Sequence, residues 1–116
     1  MNTITIAHLS DIHYAPSEIS EISTMLKDKG VLVEKYLPMC LENLKVRKPD
    51  IILITGDLTH ESPACDFEYL RRQFDETLPD TPILCTIGNH DIRSEFRRGF
   101  LKESALDTPY YASMIV

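Results

Sequence analysis

The length, composition and charge of the chain exclude several classes of protein. Its 116 residues are 43% hydrophobic and 26% charged, which is the composition of one soluble globular domain over residues 1–116. The net charge of -6 argues against a nucleic-acid-binding or membrane-binding surface. The three cysteines form no Cys-x-x-Cys pair, so neither a disulfide scaffold nor a zinc ribbon is expected. No apolar stretch has the length of a signal peptide or a membrane span, and we therefore expect a cytoplasmic protein.

Three apolar runs predict β-strands, and polar side chains follow each run at once. The runs are residues 3–10, Ile51–Thr55 and Ile83–Ile87. In open α/β sheets, ligands bind where parallel strands end, so a parallel sheet would bring these polar side chains to one edge. They are Asp11 and His13 after the first run, Asp57 after the second, and Asn89, His90 and Asp91 after the third.

The segments between the strands have helical spacing, which favours crossovers of the strand–helix–strand kind. Apolar residues between positions 33 and 44 repeat at intervals of four, three and four, and Pro38 within them is expected to kink or divide the helix. Ser62-Pro63 favours the start of a second helix. The apolar face predicted for that helix consists of Phe67, Leu70, Phe74 and Leu78.

The remaining segments are less sharply defined. Residues 14–30 have a breaker at Pro16 and helical spacing from Glu18 onward. A short helix is expected around Glu95–Phe100. The β-branched and aromatic stretch Tyr110–Val116 could form a fourth strand.

The polar side chains at the strand ends have the chemistry of a metal site. Carboxylate, imidazole and amide oxygen together suit a divalent first-row ion such as Mn, Fe or Zn, and no cysteine is placed to join them. Asp57 lies between the other two strand ends and could bridge two ions, which is the usual arrangement for displacement at phosphorus. His90 could then donate a proton to the leaving oxygen, and Asp91 could hold its imidazole.

Each of these residues also has a structural interpretation when it is taken singly. Asp57 could cap a turn after Gly56, and Asn89 could adopt left-handed geometry after Gly88. The sequence favours a structural role for His8 and a solvent-facing position for His60, although His60 could also reach the rim of the site. These interpretations explain single residues but not the coincidence of three strand ends.

The three blocks resemble a known family. Asp11-x-His13, Gly56-Asp57 and Gly88-Asn89-His90-Asp91 are similar to the first three signature blocks of the calcineurin-like metallophosphoesterases. The stretch from Leu9 to Tyr14 is most similar to the cyclic-nucleotide phosphodiesterase branch of that family. The resemblance covers residues 3–116 and implies an α/β fold, the N-terminal half of a four-layer α/β/β/α sandwich.

The resemblance also implies a role for each site residue. Asp11 and His13 would bind a first metal ion, Asp57 would bridge both ions, and Asn89 would bind the second. His90 would face the substrate phosphate with Asp91 behind it. The implied cofactor is a pair of divalent or trivalent ions of Mn, Fe or Zn. The implied substrate is a cyclic nucleotide or another small phosphodiester, with neither nucleic acid nor membrane as a partner.

The sequence departs from the family pattern after the third block. Family members continue into a second half that supplies a lone metal-binding histidine and then a Gly-His-x-His block, but no histidine follows His90 here. The first ion would keep Asp11, His13 and Asp57, and the second would keep only Asp57 and Asn89. Three hypotheses follow: a dinuclear hydrolase, an inactive truncated fragment that binds at most one ion, or one chain of a split enzyme. In the last case, a partner chain or another copy would complete the fold.

Overall fold

Strands and helices alternate along the chain. A computed structural model describes residues 2–14 and 33–103. The elements in chain order are β1 (Ile6–Leu9), α1 (Val33–Arg47), β2 (Ile51–Thr55), α2 (Ala64–Thr77), β3 (Ile83–Thr86) and α3 (Arg93–Gly99).

The three strands form one parallel sheet in the order β1-β2-β3, which confirms the predicted α/β class. Strand β2 lies in the centre, and its Ile54 is paired with Leu9 on one side and with Cys85 on the other. Because all strands run in the same direction, the predicted polar blocks leave the sheet at the same edge.

Strand β1 is shorter than predicted, but its backbone keeps following β2 beyond its last paired residue. The amides of Asp11 and His13 donate to the carbonyls of Gly56 and Asp57, at 3.1 and 3.0 Å. An isolated parallel bridge then joins Tyr14 to Thr59. The segment that carries Asp11 and His13 is therefore held beside the segment that carries Asp57.

The core lies between the sheet and helices α2 and α3. Ile52 and Ile54 alternate with half-buried neighbours and are fully buried, as expected for one face of a central strand. The predicted apolar face of α2 is buried at all four positions. Phe96 of α3 packs edge-on against Phe67 of α2, with ring centroids 5.7 Å apart. Cys85 of β3 is also buried and belongs to the core.

Helix α1 runs through Pro38 without division, so of the two predicted effects, a kink or a division, the division is wrong. Pro38 is the sixth residue of the helix, so its missing N–H removes one intrahelical hydrogen bond just beyond the first turn. Leu37 and Leu41, on either side of it, are buried and keep the helix packed.

Two contacts join α2 to α3: a hydrogen bond to the Glu95 carboxylate and a close approach of the helices at Gly99. The backbone N–H of Ala64, at the start of α2, donates to the Glu95 carboxylate of α3 at 2.7 Å. A Cβ at Gly99 would collide with the Ala64 carbonyl and lie 2.7 Å from the Cβ of Phe67. The pair of helices that flanks the site is therefore held in close contact at this end.

Some predictions fall outside the described residues. These are the helical spacing after Glu18 and the fourth strand at Tyr110–Val116. Within residues 2–14 and 33–103, no helix has the length and apolar character needed to cross a membrane.

Candidate metal centre

The site begins with three residues in unusual backbone conformations. Asp11, His13 and Asp57 have φ angles of 53°, 51° and 52°, in the left-handed region that non-glycine residues seldom adopt. They are half of the six non-glycine residues with positive φ in the described part of the chain. Each such residue costs on the order of 1–3 kcal/mol, and such costs cluster at functional sites.

These conformations bring two carboxylates and an imidazole together. The Nε2 atom of His13 lies 3.7 Å from Asp11 Oδ1 and 3.9 Å from Asp57 Oδ2. One ligand atom from each residue lies within 4.8 Å of the other two. Atoms bound to one ion at about 2.0–2.2 Å lie roughly 3–4 Å from one another, so this group needs little contraction to hold an ion.

The donor set and its surroundings also fit a metal ion. Two carboxylates and an imidazole are the ligands that first-row divalent ions take in proteins. The other ring nitrogen of His13, Nδ1, is buried and has no hydrogen-bond partner among the described residues, so an ion at Nε2, rather than a hydrogen bond, would place the ring proton on Nδ1. Only Asp11 is largely exposed, at 62% of its side chain, whereas the side chains of His13 and Asp57 are 23% and 15% exposed. The group is therefore open to solvent on the Asp11 side.

Asp57 connects all three strand ends. One of its carboxylate oxygens faces His13, and the other accepts a hydrogen bond from the His90 backbone N–H at 3.1 Å. The loop after β3 can approach this closely because Gly88 has no side chain. A Cβ at Gly88 would collide with Asp57 Oδ1 and lie 2.5 Å from the Asp57 backbone nitrogen. The glycines of the two blocks therefore position the carboxylate, and Gly56 itself has a φ of 80°.

Asp91 accepts hydrogen bonds from both loops. Its carboxylate is buried and accepts from the N–H groups of Leu58, Thr59 and Gly88 at 3.1, 2.8 and 3.0 Å. The Thr59 hydroxyl donates to it as well, at 3.3 Å. In the described part of the chain, this carboxylate makes no hydrogen bond to the His90 ring. The sequence missed this contact with the β2 loop, and the catalytic role predicted for Asp91 stays a prediction.

The two other predicted site residues lie on the turn after Gly88. Asn89 is exposed, and its amide belongs to none of the described hydrogen bonds. His90 is half-buried, and its ring centroid is 5.5 Å from that of His13 in an edge-on arrangement. The structure thus brings His90 beside the group of Asp11, His13 and Asp57 and leaves Asn89 exposed on the same turn.

A third imidazole lies at the site, and the prediction that His60 faces solvent is wrong. His60 is half-buried, with its ring centroid 4.5 Å from His90 and 6.1 Å from His13. The sequence places His60 three residues after Asp57, but that spacing alone does not show that the ring turns toward the site. In the structure its loop neighbours Thr59 and Ser62 are fully buried. By contrast, His8 lies outside the metal-binding group, and its Nε2 is 2.6 Å from the Thr55 hydroxyl on β2.

Comparison with known proteins shows which family the chain resembles. The family model described as calcineurin-like phosphoesterase matches residues 4–115. A protein of Synechococcus sp. named "Probable cyclic nucleotide phosphodiesterase" is 28% identical over 89 residues, which are 77% of this chain and 32% of that protein. A protein of Rhodococcus erythropolis with the same name is 28% identical over 112 residues, which are 90% of this chain and 34% of that protein.

The matches differ in how much of each protein they cover. The chain spans about a third of the length of these two relatives. The family model, however, covers nearly all of the chain, including each of the three strand ends that form the site. The chain belongs to the calcineurin-like phosphoesterase family.

Proposed function

We propose that this chain serves in metal-dependent hydrolysis of a phosphoester bond. The observation that carries the proposal is the group of Asp11, His13 and Asp57, whose ligand atoms lie within 4.8 Å of one another at the carboxyl edge of the sheet. The substrate class we propose is a small phosphodiester such as a cyclic nucleotide, because both named relatives are described as probable phosphodiesterases of that kind.

Metal ions bound at such a site would neutralise the negative charge that develops on the phosphoryl and leaving oxygens and would activate water at neutral pH. The residues of this chain have separate tasks. Asp11 and His13 hold the ion from the β1 end, and Asp57 holds it from the β2 end. The His90 N–H fixes the orientation of the Asp57 carboxylate. The His90 imidazole lies next to the group and donates a proton to the leaving oxygen.

We propose that the chain binds one ion more tightly than the second. The first ion has three ligands in Asp11, His13 and Asp57. A second ion would share Asp57 and take the Asn89 amide, which is exposed to solvent. The second ion would therefore need further ligands besides Asp57 and Asn89.

A second candidate function is metal binding without turnover. One observation favours it. Among the described residues, the group that could hold an ion is Asp11, His13 and Asp57, and these three residues offer ligands for one ion. Hydrolysis with two ions and binding of one ion predict different metal contents, so one measurement separates them.

The test is elemental analysis of the purified chain after manganese loading and desalting, followed by an assay with bis(p-nitrophenyl) phosphate. Asp57→Asn should remove bound metal more completely than Asn89→Ala, because Asp57 contacts all three strand ends. Asp80→Asn is the matched control, since Asp80 is exposed in the loop before β3, away from the site. Equal metal content in Asp57→Asn and Asn89→Ala would contradict the bridging role, and one retained ion without hydrolysis would favour the second candidate.

A further inference from the structure

We propose that His60 binds the phosphate group of the substrate, together with His90. The proposal rests on the proposed function, because it names a residue that would recognise the substrate of that site. Its starting observation is the cluster of three imidazoles, in which His60 is 4.5 Å from His90 and 6.1 Å from His13 between ring centroids.

The backbone on both sides of His60 is fixed to the loop that carries His90. Thr59 donates to the Asp91 carboxylate through its N–H and its hydroxyl, at 2.8 and 3.3 Å. Glu61 donates its N–H to the His90 carbonyl at 2.7 Å. The position of the His60 ring relative to His90 is therefore set by hydrogen bonds, and little ordering is left for a ligand to supply.

His60 is not a member of the group that could hold the first ion. That group consists of Asp11, His13 and Asp57, whose ligand atoms lie within 4.8 Å of one another. His60 lies next to this group, because its ring belongs to the same cluster as the rings of His13 and His90. A residue beside the ion rather than around it is placed to contact a group that the ion also contacts.

The chemistry of the His60 ring suits a phosphate oxygen. Its Nδ1 is buried and has no hydrogen-bond partner among the described residues. A buried polar atom without a partner is tolerated better as an acceptor than as an N–H. The neutral ring therefore carries its proton on Nε2, which makes that atom a hydrogen-bond donor. Phosphate oxygens accept such bonds, and a protein with a net charge of -6 needs local donors to hold an anion.

The test measures inorganic phosphate binding by calorimetry on the zinc-loaded chain, with metal content and thermal unfolding determined on each sample. His60→Ala should weaken phosphate binding about ten- to hundredfold, the loss expected for one hydrogen bond to a charged group. Its metal content should stay at the wild-type value. His60→Gln keeps a donor at the end of the side chain and should recover part of the affinity. His8→Ala is the matched control, because it removes an imidazole outside the cluster.

A second measurement uses the unaltered chain, so it holds even if the alanine variant fails to fold. In imidazole ¹H–¹⁵N spectra of the zinc-loaded chain, the His60 signals should shift on addition of phosphate and the His8 signals should not. Unchanged His60 signals, or wild-type phosphate affinity in His60→Ala, would overturn the proposal and leave the proposed function standing. Loss of metal in His60→Ala would overturn it as well, because the ring would then act on the ion. A wild-type chain that binds no metal would overturn the proposed function and this proposal together.

Discussion

Replacing Asp91 with asparagine separates a structural role for this residue from the catalytic role suggested by the sequence. The carboxylate accepts four hydrogen bonds, two at each oxygen. An amide keeps one accepting oxygen and places an NH₂ group where the other oxygen stood. In the better orientation, the NH₂ faces Thr59, whose hydroxyl can rotate to accept. The buried Thr59 N–H then loses its acceptor.

The magnitude follows from these contacts. A buried donor left without an acceptor costs about 1–3 kcal/mol, and each bond that changes from a charged to a neutral acceptor loses about 1 kcal/mol. The two bonds from Leu58 and Gly88 change in this way. Asparagine also avoids the cost of burying a charge, which offsets part of the loss. We expect the free energy of unfolding to fall by about 2–4 kcal/mol in all.

The assay is urea unfolding followed by circular dichroism, on Asp91→Asn and on Asp80→Asn as the matched exposed control. Metal content is measured on the same samples, and we expect Asp91→Asn to bind less metal because the two loops are no longer fixed together. A surface substitution such as Asp80→Asn should stay within about 0.5 kcal/mol of wild type. If Asp91→Asn were equally stable and lost only hydrolysis, the reasoning would be refuted, and Asp91 would act on His90 as the sequence suggested.

Three further predictions concern the loop glycine, the buried thiol and the core. Gly88→Ala should lower metal content more than overall stability, because its Cβ collides with the Asp57 carboxylate; wild-type metal binding in elemental analysis would contradict this. Burial, which is the largest cause, and the Asp91 charge raise the pKa of the Cys85 thiol, Arg71 lowers it, and the net pKa is about 12. Because the unfolded thiol ionises near 9.0, stability should fall between that pH and about 12, by up to about 1.4 kcal/mol per pH unit. Cys85→Ala should lack this part of the slope in urea unfolding at successive pH values, and an unchanged slope would argue against a buried neutral thiol. Phe74→Ala should lower the free energy of unfolding by about 3–5 kcal/mol, since Phe74 is fully buried; a loss below about 1 kcal/mol in the same assay would mean that α2 packs loosely.

Much of the fold could be predicted because its signals are local. The apolar runs at β2 and β3 and the apolar face of α2 depend on residues that are close together in sequence, and all three were found in the structure. The convergence of Asp11, His13 and Asp57 was also predictable, because parallel strands place their carboxyl ends at one edge.

The parts that could not be predicted depend on contacts between distant residues. The position of His60 is set by hydrogen bonds to residues about thirty positions away, and no local pattern in the loop after β2 encodes them. The same holds for Asp91, because its carboxylate accepts hydrogen bonds from Leu58 and Thr59 in the distant loop after β2. The division predicted at Pro38 was wrong for a different reason, because the cost of a proline depends on where in the helix it falls and on the burial of Leu37 and Leu41 around it.

The hydrogen bonds to Asp91 have a consequence for how the site opens. One carboxylate holds the amides of Leu58, Thr59 and Gly88, which belong to two loops that are distant in sequence. Neither loop can detach without breaking bonds that also hold the other. The two loops should therefore open as one cooperative unit, and hydrogen–deuterium exchange of these three amides should give a common free energy of opening. Metal binding, which draws the β1 and β2 ends together at Asp57, should slow the exchange of all three by the same factor.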